Sequence, residues 1–300
     1  MAPGPLRHRN GLVVLLMAAA LLAACSGVPG SLSPASPSAR DAVAAAVDQS
    51  RADYTDRVIN IMVTNTSAQP LLVTSAALHS PLYDGAADWK PTRTGGTKVA
   101  PGATVSLPAD LPAVRCSAGP SPAAAEHRIT VTLDGEGPAP GMVEVPAGDP
   151  HGVLGRNYTG DCLAQAAASV AGLRVNPGLQ VLAGSGTAVV GIDVQPSGGK
   201  GSLVIESFGT TTLLSEDAEH PWPKDIRVAG TDPASRLALH VVPTRCDPHA
   251  LADDKLGTKI PVTIRTAGGH GVLRLDGGRD FAREVYRFIT DACSSADGSG

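Results

Sequence analysis

Period two runs through most of the chain. Ile59, Ile61 and Val63 alternate with Asn60 and Met62, and Val105 and Leu107 with Thr104 and Ser106. Leu237, Leu239 and Val241 alternate with Arg236, Ala238 and His240, and Ile260, Val262 and Ile264 with Pro261 and Thr263. Such alternation places one apolar row on one face of a half-buried antiparallel strand. Turn-forming residues separate the runs at Asn65-Thr66-Ser67, Pro101-Gly102, Gly198-Gly199 and Gly268-Gly269. Short strands at this spacing predict β-sandwiches.

The pattern also repeats. At an offset of about 131 residues the chain matches itself several times in the same order, as two copies of one unit would. Ile59–Val63 falls on Val190–Val194, Leu72-Val73 on Leu203-Val204, and Ile129–Leu133 on Ile260–Ile264. Val114-Arg115-Cys116 falls on Thr244-Arg245-Cys246, Trp89 near Trp222, and Asp149 and Cys162 on Asp280 and Cys293. The fold class expected is all-β, two tandem antiparallel β-sandwich modules. Each has about six strands, near the seven of an immunoglobulin-like domain, which it resembles in architecture only.

A short helix is expected to close each copy. Asp149-Pro150 sets a capping acid before a first-turn Pro. Asp280 holds the matching place before Phe281, Val285, Phe288, Ile289 and Ala292, which are spaced along one helix face. Ser38–Tyr54 is alanine-rich with Val43 and Val47 at i, i+4, which predicts another short helix.

Composition and charge narrow the picture. Hydrophobic residues make up 43% of the 300, which is enough to bury a core, while 34 Gly and 25 Pro argue against a helical bundle. The formal net charge is −4, so binding to nucleic acid through phosphate neutralisation is not expected. The N-terminus gives an address. Arg7 and Arg9 precede the unbroken apolar run Leu12–Ala24. That run is short of the roughly 20 residues a membrane-spanning helix needs and has the proportions of a secretory signal. It ends in Leu22-Ala23-Ala24-Cys25, which resembles the lipobox of bacterial lipoproteins. The resemblance implies cleavage after Ala24, lipidation (palmitate included) at Cys25, and a chain held at the extracytoplasmic face of the cell membrane. Losing residues 1–24 removes two Arg and no acid, which takes the charge to −6. With this motif and an Ala/Gly/Pro/Arg-rich composition, the chain resembles uncharacterised secreted surface lipoproteins of actinobacteria.

The reading divides the chain into a signal peptide over 1–24 and a lipidated tether with a short helix over 25–56. A first β-sandwich module follows over 57–163, then a linker over 164–186, a second module over 187–295 and a disordered tail over 296–300. Four cysteines remain after Cys25, and four allow three pairings. The repeat selects Cys116–Cys162 and Cys246–Cys293, because a copied module carries its own bridge. Disulfides persist outside the cytosol, which agrees with the signal.

Chemistry-bearing motifs are absent. The chain has no G-x-S-x-G elbow, no G-x-G-x-x-G, no P-loop and no H-E-x-x-H. No CxxC or CxH spacing suggests zinc, so neither metal nor cofactor is expected. His240 is read as an outward strand residue, and Glu216–His220 as an acidic, solvated turn. The residues singled out for binding are Trp89 and Trp222, in Pro-flanked loops, and the repeated arginines Arg115, Arg245, Arg156 and Arg287. The function expected is non-catalytic: a lipid-anchored binding or spacer module with a surface protein or glycan as candidate partner. The alternative is an extracytoplasmic enzyme or small-ligand-binding lipoprotein with its site in an inter-module groove.

Overall fold

A computed structural model describes residues 39–54, 56–92, 94–116, 122–134, 140–184, 186–247, 251, 254 and 256–297. The signal peptide, Cys25 and the start of the tether lie outside the described residues, as do residues 298–300.

The protein is mostly β, as the alternation predicts. Its strands run in the order β1 (Val43–Asp48), β2 (Val58–Asn65), β3 (Leu71–His79), β4 (Ala86–Asp88), β5 (Thr97–Val99), β6 (Thr104–Asp110), β7 (Arg128–Asp134) and β8 (Gly141–Gly148). Helix α1 (Val153–Ala168) follows. Then come β9 (Ala171–Val181), β10 (Ala188–Pro196), β11 (Ser202–Phe208), β12 (Leu214–Glu216), β13 (Ile226–Ala229), β14 (Ser235–Pro243), β15 (Lys259–Thr266), β16 (Gly269–Asp276) and helix α2 (Gly278–Asp297).

The pairings of the two halves correspond. In the first half β1 pairs β2, β2 pairs β6, β3 pairs β5 and β7, and β7 pairs β8, all antiparallel. In the second half β9 pairs β10, β10 pairs β14, β11 pairs β13 and β15, and β15 pairs β16, again antiparallel. They differ at the margins. β8 also pairs β1 in parallel, which joins the first half into one eight-stranded sheet, whereas the second half holds two separate four-stranded sheets. The alternating rows point inward: Ile59, Ile61, Val63, Ile260, Val262 and Ile264 are all buried. Buried apolar residues fall into two clusters, one from Ala42 to Leu154 and one from Leu163 to Ile289. Each cluster gathers the inward-pointing rows of the strands of its own half.

Three expectations are corrected. First, of the helix expected over Ser38–Tyr54 the described residues 39–54 hold only short 3-10 turns at Ala39–Ala42 and Arg51–Asp53; their centre is β1. Val43 and Val47 are buried, and β1 lies between β2 and β8 in register Val43↔Asn65 through Asp48↔Asn60. Tertiary pairing overrides alanine's helical preference here, since propensity is a weak prior. The first half therefore begins before residue 57.

Second, the stretch 164–186 is no linker. α1 runs through it to Ala168 and β9 fills Ala171–Val181. Asn176-Pro177-Gly178 would read as a turn, but the strand absorbs it as a bulge. Val190 faces Leu179 and Ile192 faces Val175, so three residues stand opposite Gly191 alone.

Third, the two helix starts differ. Asp149 does serve the start of α1, accepting the Val153 and Leu154 N–H groups at 2.7 and 3.0 Å on its two carboxylate oxygens, but the N-cap position is Gly152, at φ 60°, so Pro150 lies ahead of the helix and not in its first turn. Asp280 does not cap α2: it sits inside the first turn and pairs with Arg283, while Asp276 accepts the Gly278 N–H at 2.7 Å. Phe281, Val285, Phe288 and Ile289 are buried as their spacing predicts. Residues 296 and 297 complete α2 rather than a tail.

The disulfides are Cys116–Cys162 and Cys246–Cys293, closing sequence separations of 46 and 47. Each ties a helix to a segment that follows a strand, β6 before Cys116 and β14 before Cys246. Among the described residues, no helix is long and apolar enough to cross a membrane.

Candidate functional site

A groove of about 720 Å³ is lined by residues of both halves of the chain. One wall begins at Gln49, just past β1. Gln49 is buried and exchanges hydrogen bonds with the buried Asn157 of α1: Asn157 Nδ2 donates to Gln49 Oε1 at 2.9 Å, and Gln49 Nε2 donates to the Val58 carbonyl at 3.0 Å. This amide pair satisfies polar groups that would otherwise be stranded under the groove floor. Arg156, one residue earlier on α1, donates to Gln49 Oε1 at 3.2 Å and lies over the Tyr54 ring, 4.8 Å from its centroid.

Farther along the same wall, Arg57 pairs with Asp161 at 2.9 Å and donates to the Pro112 carbonyl at 2.6 Å. Burial pushes the Asp161 carboxyl above its ordinary pKa, and the Arg57 guanidinium only partly opposes this. The opposite wall comes from β9 and β16 with Leu173, Arg174, Val272 and Arg274. Arg174 and Arg274 are exposed. Asp276 ends this wall, in an ion pair with Lys259. The acids that line the groove are thus each matched by a cation, while Arg156, Arg174 and Arg274 add positive charge without an acid of their own among the described residues. In a chain of net charge −4, that is a local reversal of sign.

The residues singled out from sequence mostly lie elsewhere. Arg115 pairs with Asp84 at the surface, and its N–H donates to the Leu82 carbonyl at 2.9 Å. Arg287 pairs with Glu284 one turn away on α2, and Arg245 is exposed beside Cys246. Only Arg156 of the four lines the groove. Trp222 is buried at 6% exposure, and its indole N–H donates to the His240 carbonyl at 2.6 Å. Trp89 is half-buried against the first core and bridges Ala109. Both tryptophans act as loop anchors. Arg174 and Arg274 escaped notice because they sit in unrelated strands with no local pattern around them.

A second constellation surrounds His240. The residue sits on β14 facing out of the core, as the alternation says, but the loop after β12 folds over it. His220 stacks on it with ring centroids 4.5 Å apart, and His220 Nδ1 lies 2.9 Å from Asp217 Oδ2. That hydrogen bond, then the Glu219 N–H, holds the Asp217 carboxyl below its ordinary range. Nδ1 of His240 is buried and has no hydrogen-bond partner among the described residues.

No protein-family model matches the chain, and no curated protein sequence matches it. Solved structures give weak likenesses. The calcium binding domain CBD12 of CALX1.1 is 9% identical with a TM-score of 0.20, over 80% of this chain and 88% of that one. The exo-chitosanase CsxA of Amycolatopsis orientalis is 14% identical with a TM-score of 0.21, over 78% of this chain and 26% of that one. The B domain of a biofilm associated protein is 8% identical with a TM-score of 0.20, over 79% and 86%. Likenesses at these scores carry no argument about this chain's role.

Proposed function

We propose that the chain is a lipid-anchored extracytoplasmic protein of two tandem immunoglobulin-like β-sandwich modules. It works without catalysis, holding an anionic ligand in the groove lined by both halves. The corresponding strand pairings and the two equivalent disulfides support the duplication. The lipobox at Leu22–Cys25 and the likeness to actinobacterial surface lipoproteins support the anchoring. The observation that carries the binding is Arg174 and Arg274 lining one groove with no acidic partner of their own among the described residues. Guanidinium groups so placed are suited to carboxylate or phosphate, and a glycan bearing acidic sugars supplies both the charge and the length for an open groove.

The test is calorimetric titration of the lipid-free chain from Ser26 onward with a uronic-acid oligosaccharide. Saturable binding is expected, weakened about tenfold or more by Arg174→Ala or Arg274→Ala, which corresponds to about 1.4 kcal/mol or more each. Arg245→Ala, remote from the groove, should leave it unchanged. Absence of saturable binding, or equal losses in all three variants, would overturn the proposal. In cells, Cys25→Ala should move the protein from the membrane fraction to the medium.

A further inference from the structure

The cluster at β14 shares no residue with the groove and calls for its own explanation. Its three side chains offer two imidazole nitrogens and one carboxylate oxygen, with the donor atoms all within 4.8 Å of one another. Two features set it apart from a chance surface grouping. The buried Nδ1 of His240 has no partner among the described residues, and a buried polar atom left unpaired is costly. The loop that brings the other two donors is also held in place. Trp222 is buried beneath it, the Trp222 backbone N–H donates to Glu216, and the Asp217 N–H donates to the His240 carbonyl at 3.1 Å. The loop is thus fixed over the one strand residue whose nitrogen lacks a bond.

We propose that Asp217, His220 and His240 form a binding site for a divalent transition-metal ion of the Zn²⁺ class, which ties the loop at 217–222 to β14. The donor set selects the class. Imidazole suits zinc, copper and nickel, whereas calcium takes six to eight oxygens, which this site does not assemble. Donors around a tetrahedral zinc stand about 3.4 Å apart, given bonds of about 2.0–2.2 Å. His240 is fixed on its strand and the Asp217 side chain is only 14% exposed, so His220, 53% exposed on the loop, is the ligand that turns to close the remaining gap. Three protein ligands leave a fourth position for water or a partner's donor atom.

The test is a titration of the metal-free chain, disulfides intact, with Zn²⁺, read by calorimetry and by thermal unfolding. One ion per chain is expected, with a Kd of about 10 µM or below and a rise in Tm on saturation. Asp217→Asn and His220→Gln, both on the loop, should each weaken binding about tenfold or more, and His240→Gln at least as much. Cu²⁺ bound at the same site should show hyperfine coupling to two nitrogens. His79→Gln and His270→Gln should leave the affinity unchanged. No saturable uptake at about 1 mM Zn²⁺, a weaker hold than any specific site needs, would overturn the proposal. So would binding that survives His220→Gln with Asp217→Asn, or that is lost in His270→Gln.

Discussion

Asp161 is the groove residue whose chemistry is least comfortable. Its carboxyl is pushed up by burial, and Arg57 beside it does not fully compensate. The folded state therefore takes up this proton at a higher pH than the unfolded chain does. On acidification from neutrality, this single group adds stability as the pH falls through its folded pKa toward the ordinary carboxylate value. Asp193, Glu206 and Asp217 are held low by Arg236, Arg265 and His220, so their contributions run the other way and are lost in acid. Comparison with Asp161→Asn isolates the term. Urea unfolding at a series of pH values should show the native protein gaining on the variant as the pH drops from neutral toward the ordinary carboxylate range. A difference that stays flat, or shrinks, would mean that Arg57 wins over burial. None of this was legible in the sequence, because Asp161 meets Arg57 only once α1 packs beside the start of β2. The alternating isoleucines and the cysteines were legible, since a period-two row and a matched spacing are properties of the chain itself.

At the level of elements, α1 is the surprise. Its first turn, Val153 and Leu154, belongs to the first core, and Leu163 and Ala167 near its end belong to the second. A helix whose two ends are buried in different cores cannot be assigned to one module from its own residues, and the boundary expected at 163/164 falls inside it. β1 departs from its sequence pattern for the opposite reason. Its alanines fit a helix by propensity, and only the neighbouring strands decide otherwise. β8 runs alongside β1 in parallel, Ala45 facing Ala147 and Ala46 facing Gly148. α1 also needs a small residue across from it: a Cβ on Gly271 of β16 would stand 3.0 Å from Leu163 Cδ2. Leu163→Ala should thus cost about 2–5 kcal/mol, as removal of a packed leucine does. Gly271→Val should destabilise too, by wedging α1 from β16, although nothing is removed. Urea denaturation of both variants checks this, and near-zero changes would show that the end of α1 is not part of the second core.

For the whole molecule, the shared helix has a consequence that two beads on a flexible linker would not have. If α1 must be folded for either core to be complete, loss of one core removes part of the other's packing, and the two should unfold together. The chain carries its own reporters, because Trp89 packs on the first core and Trp222 is buried in the second. Trp89→Phe leaves a signal only from the second core, and Trp222→Phe only from the first. Coincident fluorescence midpoints, matching the loss of far-UV circular dichroism, are the mark of one cooperative transition. Midpoints that separate would show that α1 belongs energetically to one side alone. The disulfides do not force the outcome, since Cys116–Cys162 and Cys246–Cys293 each close a loop within one half. A groove built on such a coupled pair is held open by the fold itself. On the proposed reading, Arg174 and Arg274 ride on paired strands and Arg156 on the shared helix, so an anionic ligand would have little backbone left to order.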